Sequence, residues 1–160
     1  MSSKIPEFKT LRFEEKEPCI GIVTMNRAEQ LNAINLDMLK DFETLFHALS
    51  QDDSIRVLII TGAGRGYSSG ADLHDAIANR KAEAFADPEN FLKIAQERYA
   101  SLILGMRRIP QPIISAVNGP AAGGGFCMTM ASDIRVACPE AYFVASFINI
   151  GLSGGELGSS

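Results

Sequence analysis

The sequence predicts an α/β domain in which short buried strands alternate with amphipathic helices. Three observations predict it. Runs of aliphatic and β-branched residues at strand length (IGIVTM, VLIIT and PIISAV) recur along the chain. Between them lie stretches whose apolar residues return at helical spacing. Two of the strand-like runs lead straight into glycine-rich segments, where the backbone turns sharply. Strand and helix patterns in alternation imply helices layered on a sheet.

Taken in order, Thr10 to Glu14 and Ile20 to Met25 read as paired strands with a turn near Glu17–Pro18. Asn35 is a suitable N-cap for a helix reaching about Ser50. Leu36, Leu39, Phe42, Phe46 and Leu49 share one face of it and are expected to meet the sheet. Val57 to Thr61 is short, apolar and β-branched, as in a strand buried on both faces. Asp87–Pro88 is a helix start, with proline at the first helical position. That helix runs to about Arg107 and turns Phe91, Ile94, Leu102 and Met106 inward; the prolines Pro110 and Pro112 end it. Ile113 to Val117, Ile134 to Ala137 and Tyr142 to Val144 supply later strands, and an apolar helix-like segment follows Gly123–Gly125. The whole of 1–160 reads as one core domain.

Composition narrows the function. The chain has 160 residues, 46% of them hydrophobic, which is enough for one core. Its net charge of -4 and the lack of a basic run argue against a nucleic-acid surface. No apolar stretch of about 18 residues indicates a membrane span. The opening MSSKIPEFKT has no hydrophobic signal region, so a cytoplasmic location is expected. Cys19, Cys127 and Cys138 are odd in number and read as buried free thiols in a reducing compartment. His47 and His74 do not sit at ligand spacing with them, so no metal is expected. GAGRGY places Tyr67 where a dinucleotide fingerprint needs glycine, and no GKS or GKT triplet exists.

The glycine segments themselves suggest chemistry. In VNGPAAGGGFCMTMASDI, Val117 to Ile134, three glycines precede a helix-like run. Glycine lets a ligand carbonyl come close to the backbone. The first amides of a helix have no partner within it and can donate outward to developing negative charge. VLIITGAGRGYSSGADL, Val57 to Leu73, offers a second free amide near Gly70–Ala71.

TGAGRGYSSGADL and AVNGPAAGGG resemble the two signature segments of the crotonase superfamily, the enoyl-CoA hydratases and isomerases. MNRAEQLNAI, Met25 to Ile34, is similar to its N-terminal motif, and Ala141 to Leu152 resembles the segment after the second glycine loop. The resemblance covers about Phe8 to the end, in the family's order. It implies the crotonase-type (ClpP/crotonase-like) spiral of ββα units. Chains of that family are longer and close with helices over the acyl pocket, so the resemblance implies an N-terminal portion, without the C-terminal helical part.

The resemblance also implies roles. The main-chain N–H groups of Ala71 and Gly124 correspond to a two-amide oxyanion hole for an acyl-CoA thioester. Leu31, Ala33, Ser69, Gly70, Asp72 and Leu73 match positions whose backbone surrounds coenzyme A, and Pro120 and Gly123 belong to the same substrate wall. Arg27 either faces the phosphates or is a solvated arginine, and Asp72 is more readily structural than basic. Hydratases carry two glutamates; Cys127 and Phe147 stand at those positions here. Cys127 reads as a packed thiol before a nucleophile, and His74 as a solvated loop residue. Glu156, in GLSGGELG, falls where some isomerases of the family place an acid; its alternative is a helix-start glutamate. The implied activity is an isomerase-like acyl-CoA enzyme with no cofactor beyond coenzyme A in the substrate, assembled as a homotrimer or hexamer. Thioester hydrolysis, decarboxylation and non-catalytic acyl-CoA binding are the alternatives.

Overall fold

In the computed structural model, residues 5–74 and 88–147 are described, with side chains for 5–74 and 96–147. β1 (Leu11–Glu17) and β2 (Ile20–Met25) form an antiparallel hairpin, with a register shift between Glu15 and Glu17. Its turn is Pro18–Cys19. Cys19 adopts a φ of 77°, and its side chain is exposed. The expected burial of this thiol is thus corrected: it sits at the tip of the hairpin, exposed among the described residues.

α1 (Leu36–Leu49) follows as the spacing predicts, and the Asn35 side chain accepts a hydrogen bond from the Met38 N–H at 3.0 Å. Leu39, Phe42, Phe46 and Leu49 are buried, joined by Met38 and Leu45, whereas Leu36 is only half-buried. β3 (Val57–Gly62) alternates between buried and half-buried residues. It is therefore covered more fully on one face than the other, a correction to the doubly buried strand expected. α2 (Pro88–Arg108) leads into β4 (Ile113–Val117), and Leu102 and Met106 point into the core. Phe91 and Ile94 lie outside the described side chains.

After β4 comes β5 (Ala121–Ala122), which the sequence reads as turn, then α3 (Gly124–Ala131), β6 (Ile134–Ala137) and β7 (Phe143–Val144). The main sheet has the order β1-β2-β3-β4-β6. Every pair after the hairpin is parallel, so each step needs a crossover; α1, α2 and α3 supply them. β1 and β6 are the edge strands, and β6 is exposed along its length, including Ile134 and Val136. The core lies between the sheet and α1 and α2, with Met25, Phe42, Leu58, Ile60, Tyr67 and Ile113 almost wholly enclosed. Burial of each such side chain contributes about 1.5–3 kcal/mol.

β5 and β7 form a second, two-stranded parallel sheet. Isolated bridges Ser68–Ala121 and Ile34–Ala71 continue this layer across the carboxyl ends of the main strands. That layer brings the two glycine segments together.

Candidate functional site

Two asparagine side chains hold the loop after β3. The Asn118 amide nitrogen donates to the carbonyls of Gly62 (2.9 Å) and Gly64 (3.0 Å), and its oxygen accepts from the Gly62 N–H (3.2 Å). Asn32 is fully buried and donates to Ala63 and Gly66, both at 2.9 Å. Its oxygen accepts from the Arg27 N–H at 3.0 Å. Leu31 and Asn32 both adopt the left-handed conformation, with φ of 51° and 53°. Asparagine tolerates that region; leucine does so at a cost, compensated by these bonds. The Tyr67 hydroxyl meets Ser115 Oγ at 2.9 Å, and burial pushes its ionisation upward.

From this frame the loop runs to Ala71. The Ile34 N–H donates to the Gly70 carbonyl at 2.7 Å, and the Asp72 N–H donates to the Ile34 carbonyl at 2.9 Å. Both bonds flank Ala71. Since alternate residues of an extended chain face opposite sides, the Ala71 N–H is turned away from Ile34. On that side lies the start of α3. A Cβ added at Gly124 would lie 3.8 Å from the Ala71 nitrogen. A Cβ added at Gly70, whose φ is +87°, would lie 2.9 Å from the Gly124 nitrogen. The two backbones therefore approach as only glycine permits. Among the described residues, neither the Ala71 nor the Gly124 N–H donates to a main-chain carbonyl; the first bond within α3 runs from Cys127 to Gly123.

A cleft of about 360 Å³ is lined by Ser69 and Ala122, each two residues along the chain from one of these amides. Leu31, Ser69 and Pro120, named from the sequence, line it. Arg65, Gly66, Ala122, Tyr142 and Val144 line it too, and sequence reasoning missed them. Tyr142 and Val144 arrive through the β5–β7 pairing, which no local pattern announces; Arg65, Gly66 and Ala122 sit inside the two glycine segments and were the detectable omissions. Gly123 contributes a φ of 48° at the turn into α3. Leu73 is exposed, as is His74, in keeping with the solvated reading of that histidine.

Arg27 is neither solvated nor loose. Its guanidinium pairs with Asp72 at 2.9 Å, the two side chains being 18% and 10% exposed, and it also donates to the Ala33 carbonyl. This pairing agrees with the structural reading of Asp72. Cys127 is buried within α3, and desolvation pushes its thiol up to about 11, so the group is a neutral packed thiol at ordinary pH. Phe147 is also buried. Cys138 is half-buried, and all three cysteines are free. Glu156 lies outside the described residues. Among the described residues no cluster of metal-ligating side chains exists, and no helix is long and apolar enough to cross a membrane.

Residues 15–160 match the family described as Enoyl-CoA hydratase/isomerase. The chain is 43% identical to the "Probable enoyl-CoA hydratase echA12" of Mycobacterium leprae, over 89% of this chain and 48% of that one. It is 38% identical to the 1,2-epoxyphenylacetyl-CoA isomerase of Escherichia coli, over 85% of this chain and 50% of that one. The crystal structure of a probable enoyl-CoA hydratase/isomerase from Mycobacterium abscessus superposes with a TM-score of 0.79 at 37% identity, over 94% of this chain and 54% of that one. The chain thus spans about half the length of the curated relatives it matches.

Proposed function

The chain belongs to the enoyl-CoA hydratase/isomerase family and has its crotonase fold, and from that premise we propose that it binds an acyl-CoA thioester and stabilises the enolate formed from it. The thioester oxygen accepts from the N–H groups of Ala71 and Gly124. When a proton leaves the α-carbon, charge moves onto this oxygen, and fixed donors lower the barrier. In acyl-transfer enzymes one such donor is worth about 3–4 kcal/mol. The observation that carries the proposal is the adjacency of these two amides, both without main-chain partners among the described residues.

Within the family, the proposed chemistry is isomerase-like. Cys127 and Phe147 stand where the resemblance implies hydratase carboxylates, and both are buried. A thiol raised to about 11 holds its proton at neutral pH and a phenyl ring has none to exchange, so neither replaces a carboxylate as acid or base. Glu156 is the proposed acid/base: a desolvated carboxyl would hold its proton near neutrality and pass it along the acyl chain. Coenzyme A enters as part of the substrate and no separate cofactor is invoked. A homotrimer or hexamer, and a cytoplasmic location, complete the proposal.

The same two buried residues favour one other reading, an acyl-CoA-binding subunit without turnover. The test is to incubate the full chain with a panel of enoyl-CoAs and follow mass and ultraviolet absorbance, beside Glu156→Gln. An absorbance change at constant mass that disappears in Glu156→Gln supports the isomerase. Gain of one water, loss of carbon dioxide or release of free coenzyme A identifies another reaction of the family. Full turnover in Glu156→Gln removes Glu156 from the mechanism, and tight binding without any reaction supports the binding subunit.

A further inference from the structure

The loop that presents Ala71 is tied down in an unusual way. At Ala71 itself its main chain meets the rest of the fold through an isolated bridge to Ile34, while the preceding Ser68 and Ser69 bond to Pro120, Ala122 and Leu31. The Ile34 carbonyl of that bridge accepts from both the Asp72 N–H and the Tyr99 hydroxyl, the latter at 2.7 Å. A single bridge fixes the separation of two segments but holds their relative twist weakly. A further restraint, on the residue directly after Ala71, is the Asp72 carboxylate, held by Arg27 at 2.9 Å.

Arg27 is itself anchored. Its N–H donates to Asn32 Oδ1, and its carbonyl accepts from the Asn32 N–H at 2.9 Å. The same Asn32 side chain donates to the Ala63 and Gly66 carbonyls at the other end of the loop. The loop is therefore gripped at both ends from one place. Both charged side chains are largely withdrawn from water, so the loss of either leaves the other's charge poorly compensated. That separates this pair from an exposed ion pair, which contributes little.

We infer that the Arg27–Asp72 pair is a positioning device for the Ala71 amide, setting the direction of its N–H and hence the polarisation of the substrate carbonyl. The inference rests on the acyl-thioester reading above. A hydrogen bond weakens steeply as it bends. A misplacement of about 1 Å in a reacting group costs about 100-fold in rate. Arg27 and Asp72 are positioning residues here; neither is required to touch the thioester.

The test uses the full chain and crotonyl-CoA carrying an isotope label at the thioester carbonyl. Infrared difference spectroscopy reads the carbonyl stretch on binding, and titration reads the dissociation constant. In the wild type the stretch moves to lower frequency. In Arg27→Met at least about half of that shift is lost while the dissociation constant stays within about threefold, because binding draws on many contacts and the shift on hydrogen-bond direction. Arg27→Lys, which can restore an ion pair, recovers part of the shift. Should Arg27→Met not fold, Asp72→Asn is read in the same way, since it removes the charge but keeps an oxygen for Arg27. A full wild-type shift in Arg27→Met, or in Asp72→Asn where that variant stands in, overturns the inference. No shift in the wild type overturns the two-amide reading itself, which is a separate result.

Discussion

Gly70→Ala is the substitution for which the structure gives the fullest expectation. Gly70 has a φ of +87°, which an L-residue adopts at a cost of about 1–2 kcal/mol. The added Cβ would lie 2.7 Å from the Ala122 carbonyl oxygen and 2.9 Å from the Gly124 nitrogen. Both are main-chain atoms, so no rotamer change relieves the contact. Forcing atoms into packed structure in this way costs about 1–3 kcal/mol. Together the two effects destabilise the protein by about 2–5 kcal/mol. The methyl group also covers the Gly124 amide, and loss of one such donor lowers kcat by about 100- to 1,000-fold. Gly66→Ala is the internal control. There a Cβ would stand 3.7 Å from the Pro120 oxygen, an ordinary contact. Its effect on stability is expected within about 0.5 kcal/mol. Urea denaturation of both variants beside the wild type, with turnover of an enoyl-CoA, decides the matter. The reasoning is refuted if Gly70→Ala unfolds at the same urea concentration as Gly66→Ala and keeps wild-type turnover.

Two further outcomes follow from single residues. Cys19→Gly relieves a φ of 77° at the exposed hairpin tip and is expected to stabilise by about 0.5–1 kcal/mol, seen as a higher Tm. The Cys127 thiol, raised from its ordinary 9.0 to about 11 by burial, keeps its proton in the folded state while the unfolded chain has already lost it. The stability from that neutral thiol is complete below pH 9.0 and is lost as pH rises towards about 11. Thermal melts across this window should fall less steeply for Cys127→Ala than for the wild type; parallel curves would contradict it.

What the sequence discloses and what it hides divide along the range of the interactions. α1 is legible because its cap and its apolar stripe are local: Asn35 and Met38 are three residues apart. β2, β4 and β6 carry their own β-branched pattern, and their observed limits match the expected ones. β5 has only two residues, Ala121 and Ala122, and is a strand only because Phe143 and Val144 lie beside it. Alanine and glycine give no hint of that partnership. The Arg27–Asp72 pair joins residues 45 apart, and the contribution of Tyr142 to the cleft passes through the same distant pairing. The exposure of Ile134 and Val136 on β6 was equally hidden, since an edge strand and an inner strand can have the same composition. The two amides were legible as family positions, whereas their closeness emerges only when the Ile34–Ala71 bridge turns one segment towards the other.

The N–H groups of Ala71 and Gly124 belong to the polypeptide backbone, and this hides them from side-chain truncation. Truncating the side chain at Ala71 takes away a methyl group and leaves the nitrogen in place. Among point variants proline alone removes the donor, and its ring constrains φ as well, so the others report these positions only through distortion. Replacing the peptide bond at Ala71 by an ester, through semisynthesis or hydroxy-acid incorporation, deletes that one hydrogen while preserving the chain's course, and is the substitution to which such a site answers directly.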